Sequence, residues 1–109
     1  MRVLLDQCSP VAIREYLTNH EVKTAREQGW STISNGALLK AAEDAGFEVL
    51  VTTDTHLMDQ QNLEHIKLAI VVLSKNRWKF MQEAMDSIVK AVDSSKPGLT
   101  WVEIPTPRE

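Results

Sequence analysis

A chain of 109 residues has room for one domain with a single sizeable core, and not for two. With 43% hydrophobic and 25% charged residues it has the composition of a globular protein, and its longest apolar run, LAIVVL at 68–73, is far short of the roughly 20 residues that a membrane-spanning helix needs. A net charge of −3 excludes a protein that holds nucleic acid by bulk electrostatics, so any such contact must be local, through a basic patch or a metal. The opening RVLLD meets a charge after three apolar residues and does not have the form of a signal peptide. A lone cysteine, Cys8, cannot make an internal disulfide and fits a reducing cytoplasm.

In chain order, RVLLD predicts a first strand, too uniformly apolar to have a solvated face. SPVAIREYL predicts a helix, with Ser9 as N-cap and Pro10 at the first helical position, where its missing N–H costs nothing. HEVKTA is a second, weaker strand, and REQGWSTISNG a short helical turn and loop. NGALLKAAEDAG predicts a helix capped by Ser34 or Asn35 and ended by Gly46. EVLVTT and LAIVVL are the third and fourth strands, and the stretch between them has room for a short helix. Trp78, Met81, Met85, Ile88 and Val92 recur at three-and-four spacing and predict one long helix, which SSKPG stops. LTWVEI is a last strand, which closes one domain over residues 1–104 and leaves 105–109 as a loose tail.

Strands alternating with helices imply a parallel sheet covered on both sides, with its ligand crevice beyond the C-terminal strand ends, where strand order reverses. Asp6 and Asp54 stand at two such ends. Two close carboxylates repel, so either one proton affinity rises or a cation intervenes. Mg²⁺ or Mn²⁺ suits them, because a hard dication takes oxygen ligands and keeps several waters. Such an ion activates water against a phosphodiester. The plainer alternative is that each aspartate caps a helix or begins a turn.

Asn35 serves either as an N-cap or as a neutral third-side support for the metal. The DQQN stretch places Asp59 as an extra ligand candidate and Gln61 and Asn62 as hydrogen-bonding partners for a nucleotide, unless it is a solvated loop. In SKNRWK, Lys75, Arg77 and Lys79 suit a backbone phosphate, while Trp78 either stacks on a base or joins the helical core stripe. Lys23 and Arg26 follow the second strand on the same edge. Cys8, near a helix start, is expected to have a lowered pKa, but no His and Asp pattern supports a thiol nucleophile. His20, His56 and His65 have no zinc-site spacing, and Glu43 and Asp44 read as solvated helix residues.

Taken together, RVLLD…P, SNGALLKAAEDAGFEVLVTTD, QQNL and LAIVVL resemble the small bacterial PIN-like domains, from Met1 to about Leu73. The resemblance implies a three-layer α/β/α sandwich around a mostly parallel sheet of about five strands, with acidic residues clustered at the strand tips. In PIN nucleases that cluster holds Mg²⁺ or Mn²⁺ and cuts single-stranded RNA, and many are toxins neutralised by a partner protein and often dimeric. This chain would then be an endoribonuclease acting on RNA such as tRNA or mRNA, with a cognate antitoxin and a second copy of itself as partners. By position, Asp6 matches the first-strand acid and Asp54 the acid after TTD, while Asn35, followed by Gly36, occupies the place of the third acid. The NG and QQN motifs are usual in the small branch that the chain resembles. Two other readings stand beside this one: a non-catalytic PIN-like RNA- or protein-binding module, and a phosphate-handling domain of receiver or phosphatase type. LLDQC lacks the second closely spaced aspartate that the latter usually use.

Overall fold

Strands that are apolar at every position have two faces to hide, because alternate side chains point to opposite sides of a sheet. A computed structural model describes residues 1–55 and 66–105, apart from the side chain of Asn35, and meets that demand. The elements are β1 (Arg2–Leu5), a 3-10 helix (Val11–Tyr16), β2 (Glu21–Thr24), α1 (Asn35–Asp44), β3 (Val49–Thr52), β4 (Ala69–Leu73), α2 (Trp78–Glu83), α3 (Met85–Asp93) and β5 (Gly98–Val102). All five strands are parallel, in the order β2-β1-β3-β4-β5. Chain order therefore reverses between β1 and β3, whose register pairs Leu5 with Val51.

Val3, Leu5, Val49, Val51, Val71 and Leu73 form one face and pack with Ile13 and Leu17, then with Met81, Met85, Ile88 and Val92 of α2 and α3. Leu4, Leu50, Ile70 and Val72 form the other face, under Leu38, Leu39 and Ala42 of α1. Each fully buried leucine or isoleucine contributes about 1.5–3 kcal/mol, and the buried apolar side chains are shared about equally between the strands and the segments packed on them. The α/β class and the parallel sheet expected from the sequence are present, and helices lie against both faces.

The connections do not all have the same hand. The β2→β3 and β4→β5 crossovers step across the sheet in the same direction, yet α1 lies on one face and α2 and α3 on the other. They are therefore of opposite hand, an uncommon arrangement for parallel strands. It brings the β4→β5 helices beside the 3-10 helix, where Tyr16 and Trp78 meet with ring centroids 6.2 Å apart and His20 reaches Asp93.

Two local expectations are corrected. Ser9 does not cap a helix: its hydroxyl donates to the Val51 carbonyl at 3.2 Å, and the turn that follows is a six-residue 3-10 helix rather than an α-helix. The long helix expected over Trp78 to Val92 is two helices, broken at Ala84 with φ −101° and ψ 12°. Alanine is the best helix former, so nothing in its chemistry signals the break. Its amide donates to both Phe80 and Met81 carbonyls, and Met81, Ala84, Met85 and Ile88 all remain buried across the bend.

The start and end of α1 follow expectation. Ser34 Oγ accepts from the Ala37 amide at 3.3 Å, and Gly46, at φ +83°, takes the left-handed conformation that ends the helix. The Arg2 guanidinium caps the Ala45 carbonyl and lies 4.5 Å above the Phe47 ring. That contact ties the C-terminus of α1 to the start of β1, so the helix begins at the opposite edge of the sheet, the one where β1 ends. Residues 56–65, where the sequence left room for a short helix, and residues 106–109 of the expected tail lie outside the described residues.

Candidate functional site

The C-terminal edge of the sheet collects most of the residues singled out from the sequence. Asp6 follows β1 directly and is 7% exposed, its amide donating to the Val51 carbonyl at 3.0 Å. The neighbouring strand β3 ends at Thr52, so Asp54 stands two residues beyond the strand tip rather than on it. Thr52 joins the two. Its fully buried hydroxyl donates to Asp6 Oδ2 at 2.7 Å and accepts from the Asp54 amide at 3.0 Å. The Asp6 side chain and the Asp54 backbone thus share one oxygen.

The loops after the two strands are tied together as well. Thr53 Oγ1 donates to the Cys8 carbonyl at 3.1 Å, the Ser9 amide donates to the Asp6 carbonyl at 2.9 Å, and Ser9 Oγ reaches back to β3. Cys8 sits over this junction and senses both acids. Its pKa is raised, first by partial burial and then by the charges of Asp6 and Asp54. The lowering expected from a helix start does not occur, because the residues that follow Cys8 form only a 3-10 turn and two carboxylates lie close by. Cys8 is therefore expected to be alkylated at pH 8 more slowly than an ordinary thiol, and faster in Asp6→Asn than in the native chain. Equal rates in the two proteins would mean that the Asp6 charge does not reach the thiol.

Asp6 also lines a cavity of about 410 Å³ with Gln7, Ser9, Val11, Thr24, Arg26 and Ser31. This cavity lies toward β2, and Asp54 is not part of its wall. The ion pairs among the described residues are Arg2–Glu21, Arg14–Glu27, His20–Asp93 and Lys40–Asp44, so neither Asp6 nor Arg26 belongs to one. On the other flank, exposed Lys75 and Arg77 follow β4, the neighbour of β3. Lys79 is exposed on α2, and Trp78 is half-buried against the core face, which favours its role in the core stripe. Along the edge the charges run Arg26, Asp6, Asp54, then Lys75 and Arg77: two acids between cations.

Asn35 opens α1 at this same edge, but its side chain lies outside the described residues, as do Asp59, Gln61, Asn62, His56 and His65 entirely. Among the described residues no group of three or more His, Cys, Asp or Glu side chains gathers as a metal site. The oxygen donors described at this edge are the carboxylates of Asp6 and Asp54, the Thr52 hydroxyl being fully buried and already engaged by both residues. A hard dication held by one or two carboxylates takes its remaining ligands from water and substrate oxygens. Glu43 accepts from the Lys67 amide at 3.0 Å and is structural, at the far edge.

Thr52 is the residue that reasoning from the sequence passed over. Its signal was the pair of threonines before Asp54, polar residues at the end of an otherwise apolar strand. No helix of the described residues is long and apolar enough to cross a membrane. The chain matches no protein-family model, no curated protein and no solved structure, so the assignment rests on the residues of this edge alone.

Proposed function

We propose that this chain is a PIN-like, metal-dependent endoribonuclease of the cytoplasm that cuts single-stranded RNA, the toxin of a toxin–antitoxin pair. The observation that carries the reading is Asp6: a buried carboxylate, held by a single threonine to the next strand, in no ion pair among the described residues, and beside a second acid. A buried negative charge with no cation is costly, and a bound dication removes that cost. Asp6 and Asp54 would hold Mg²⁺ or Mn²⁺, with Asn35 supporting and Asp59 as an additional ligand. The ion would supply an activated water and neutralise charge on the leaving oxygen. Lys75 and Arg77 would bind phosphates on one side, while Gln61 and Asn62 would orient the nucleotide. A site with so few charged ligands would bind its ion weakly, which leaves affinity to be completed by substrate phosphates.

The test is cleavage of single-stranded RNA by the purified chain. Fragmentation that requires Mn²⁺ or Mg²⁺ and stops on chelation is the expected result. RNA binding without cleavage under any divalent ion would transfer the assignment to the non-catalytic module.

One observation favours a second reading. The strand order is that of flavodoxin-like open sheets, the topology of receiver-type phosphate-handling domains. The opposite hand of the β4→β5 crossover departs from that architecture, and Asp6 is followed by Gln7 rather than by a second aspartate. Strand order alone does not assign a chemistry.

A further inference from the structure

We propose that the cavity at the tips of β1 and β2 is a one-nucleotide subsite in which the Arg26 guanidinium takes a phosphate adjoining the scissile bond, and this rests on the ribonuclease reading above. Three features of the cavity point to this ligand.

The first is charge. Among the described residues Arg26 is the one cation that lines the cavity and stands in no ion pair, and Asp6 lines the same space without pairing to it. A ligand that brings an anionic oxygen to Arg26 and a bound cation to Asp6 satisfies both, and a phosphate with its counter-ion is such a ligand.

The second is size and lining. About 410 Å³ lies near the lower end of the roughly 300–1,000 Å³ typical of small-molecule sites, which suits one nucleotide and not a duplex. Thr24 Oγ1 accepts from the Glu27 amide, so its own proton is left to donate, and Ser31 and Gln7 add a hydroxyl and an amide. A ribose, with its 2′-hydroxyl both donor and acceptor, fits such a wall. The Val11 side chain, 59% exposed, gives the cavity an apolar side for the sugar or base.

The third is preorganisation. Arg26 is on a turn locked by a reciprocal cap: Thr24 Oγ1 accepts from the Glu27 amide, and Glu27 Oε1 accepts from the Thr24 amide. That backbone bond, with the Arg14 cation, holds the Glu27 carboxyl below its ordinary range. Arg14 anchors the turn to the 3-10 helix through Glu27, the Trp30 amide donates to the Ala25 carbonyl at 2.8 Å, and Gly29 closes the turn at φ +79°. A phosphate contact on an ordered turn costs less conformational entropy than one on a loose loop.

The test uses the whole chain. Protein in Mg²⁺ is titrated with uridine 5′-monophosphate and with inorganic phosphate, and cleavage kinetics on single-stranded RNA are measured in Mn²⁺. Uridine monophosphate is expected to bind more tightly than phosphate, and Arg26→Gln to weaken it roughly tenfold, as loss of a charge-assisted bond does. The same variant should raise KM by about the same factor and leave kcat near its native value, because the contact is present before and during the reaction. Ser31→Ala should weaken the nucleotide and not the inorganic ion. Arg26 is exposed, so the variant folds as the native chain does. Nucleotide binding indifferent to Arg26, or equal affinity for phosphate and nucleotide, overturns the subsite. Arg26-dependent nucleotide binding with no cleavage in any metal leaves the subsite standing and removes the ribonuclease. Cleavage whose KM ignores Arg26 does the reverse.

Discussion

Asp6→Asn is expected to lower metal-dependent RNA cleavage by roughly 100-fold or more and to leave the fold of the metal-free chain as stable as before, or more so. The two halves come from different physics. An asparagine side-chain oxygen still accepts from the Thr52 hydroxyl, so the bond between the tips of β1 and β3 survives. What disappears is the charge. A dication stabilising a phosphoryl transition state contributes several kcal/mol, and each 1.4 kcal/mol is about tenfold in rate. Stability moves the other way, because Asp6 is buried, stands in no ion pair among the described residues, and shares its surroundings with the charge of Asp54. Removing the charge removes a desolvation cost that the Thr52 hydroxyl offsets in part and a bound cation would offset further.

The same substitution separates catalysis from architecture. Mn²⁺ should stabilise the native chain against denaturation by about 1.4 kcal/mol at ten times its Kd, and should not stabilise Asp6→Asn. If Asp6→Asn instead unfolds the chain in chelator, the carboxylate is a structural acceptor and the nuclease reading loses its centre. Denaturant titrations with and without Mn²⁺ distinguish the two cases.

The parts of this molecule legible in its sequence are those fixed by local rules. VLVT and AIVVL, buried at every position, could only be strands covered on both faces, and Ser34 and Gly46 bound α1 because capping and left-handed backbone are chemistry of single residues. The approach of Asp6 to Asp54 was legible only on the condition that their strands were neighbours, a condition that the β1–β3 pairing supplies. The remainder depended on tertiary partners. Ser9 resembles a helix cap, but the Val51 carbonyl at the end of a strand some forty residues away competes for its hydroxyl and wins. Ala84 breaks a helix that its own propensity would continue. Cys8 is raised rather than lowered because the two carboxylates beside it and its partial burial outweigh a helical turn too short to act on it. The cavity beside Arg26 depends on how far one turn projects past a strand tip, a distance with no counterpart in residue spacing.

Thr52 is where the fold and the site coincide, and Thr52→Val is expected to damage both. Valine has the shape of threonine, so the fully buried position remains filled. It lacks the oxygen that donates to Asp6 and accepts from the Asp54 amide, so one change removes a charge-assisted bond and a neutral one. The combined loss is about 2–4 kcal/mol, a large fraction of the stability of a domain this size but not all of it. Metal affinity should fall 10- to 100-fold, the usual effect of removing a hydrogen bond that orients a metal-binding carboxylate. Thr52→Ser keeps the hydroxyl and should recover most of the metal response while losing some stability through the missing methyl group. Chemical denaturation measures the first effect and Mn²⁺ titration the second. A Thr52→Val chain with native stability and native Mn²⁺ response would mean that the strand tips are held together by backbone contacts alone, with Asp6 and Asp54 as neighbours that share no site.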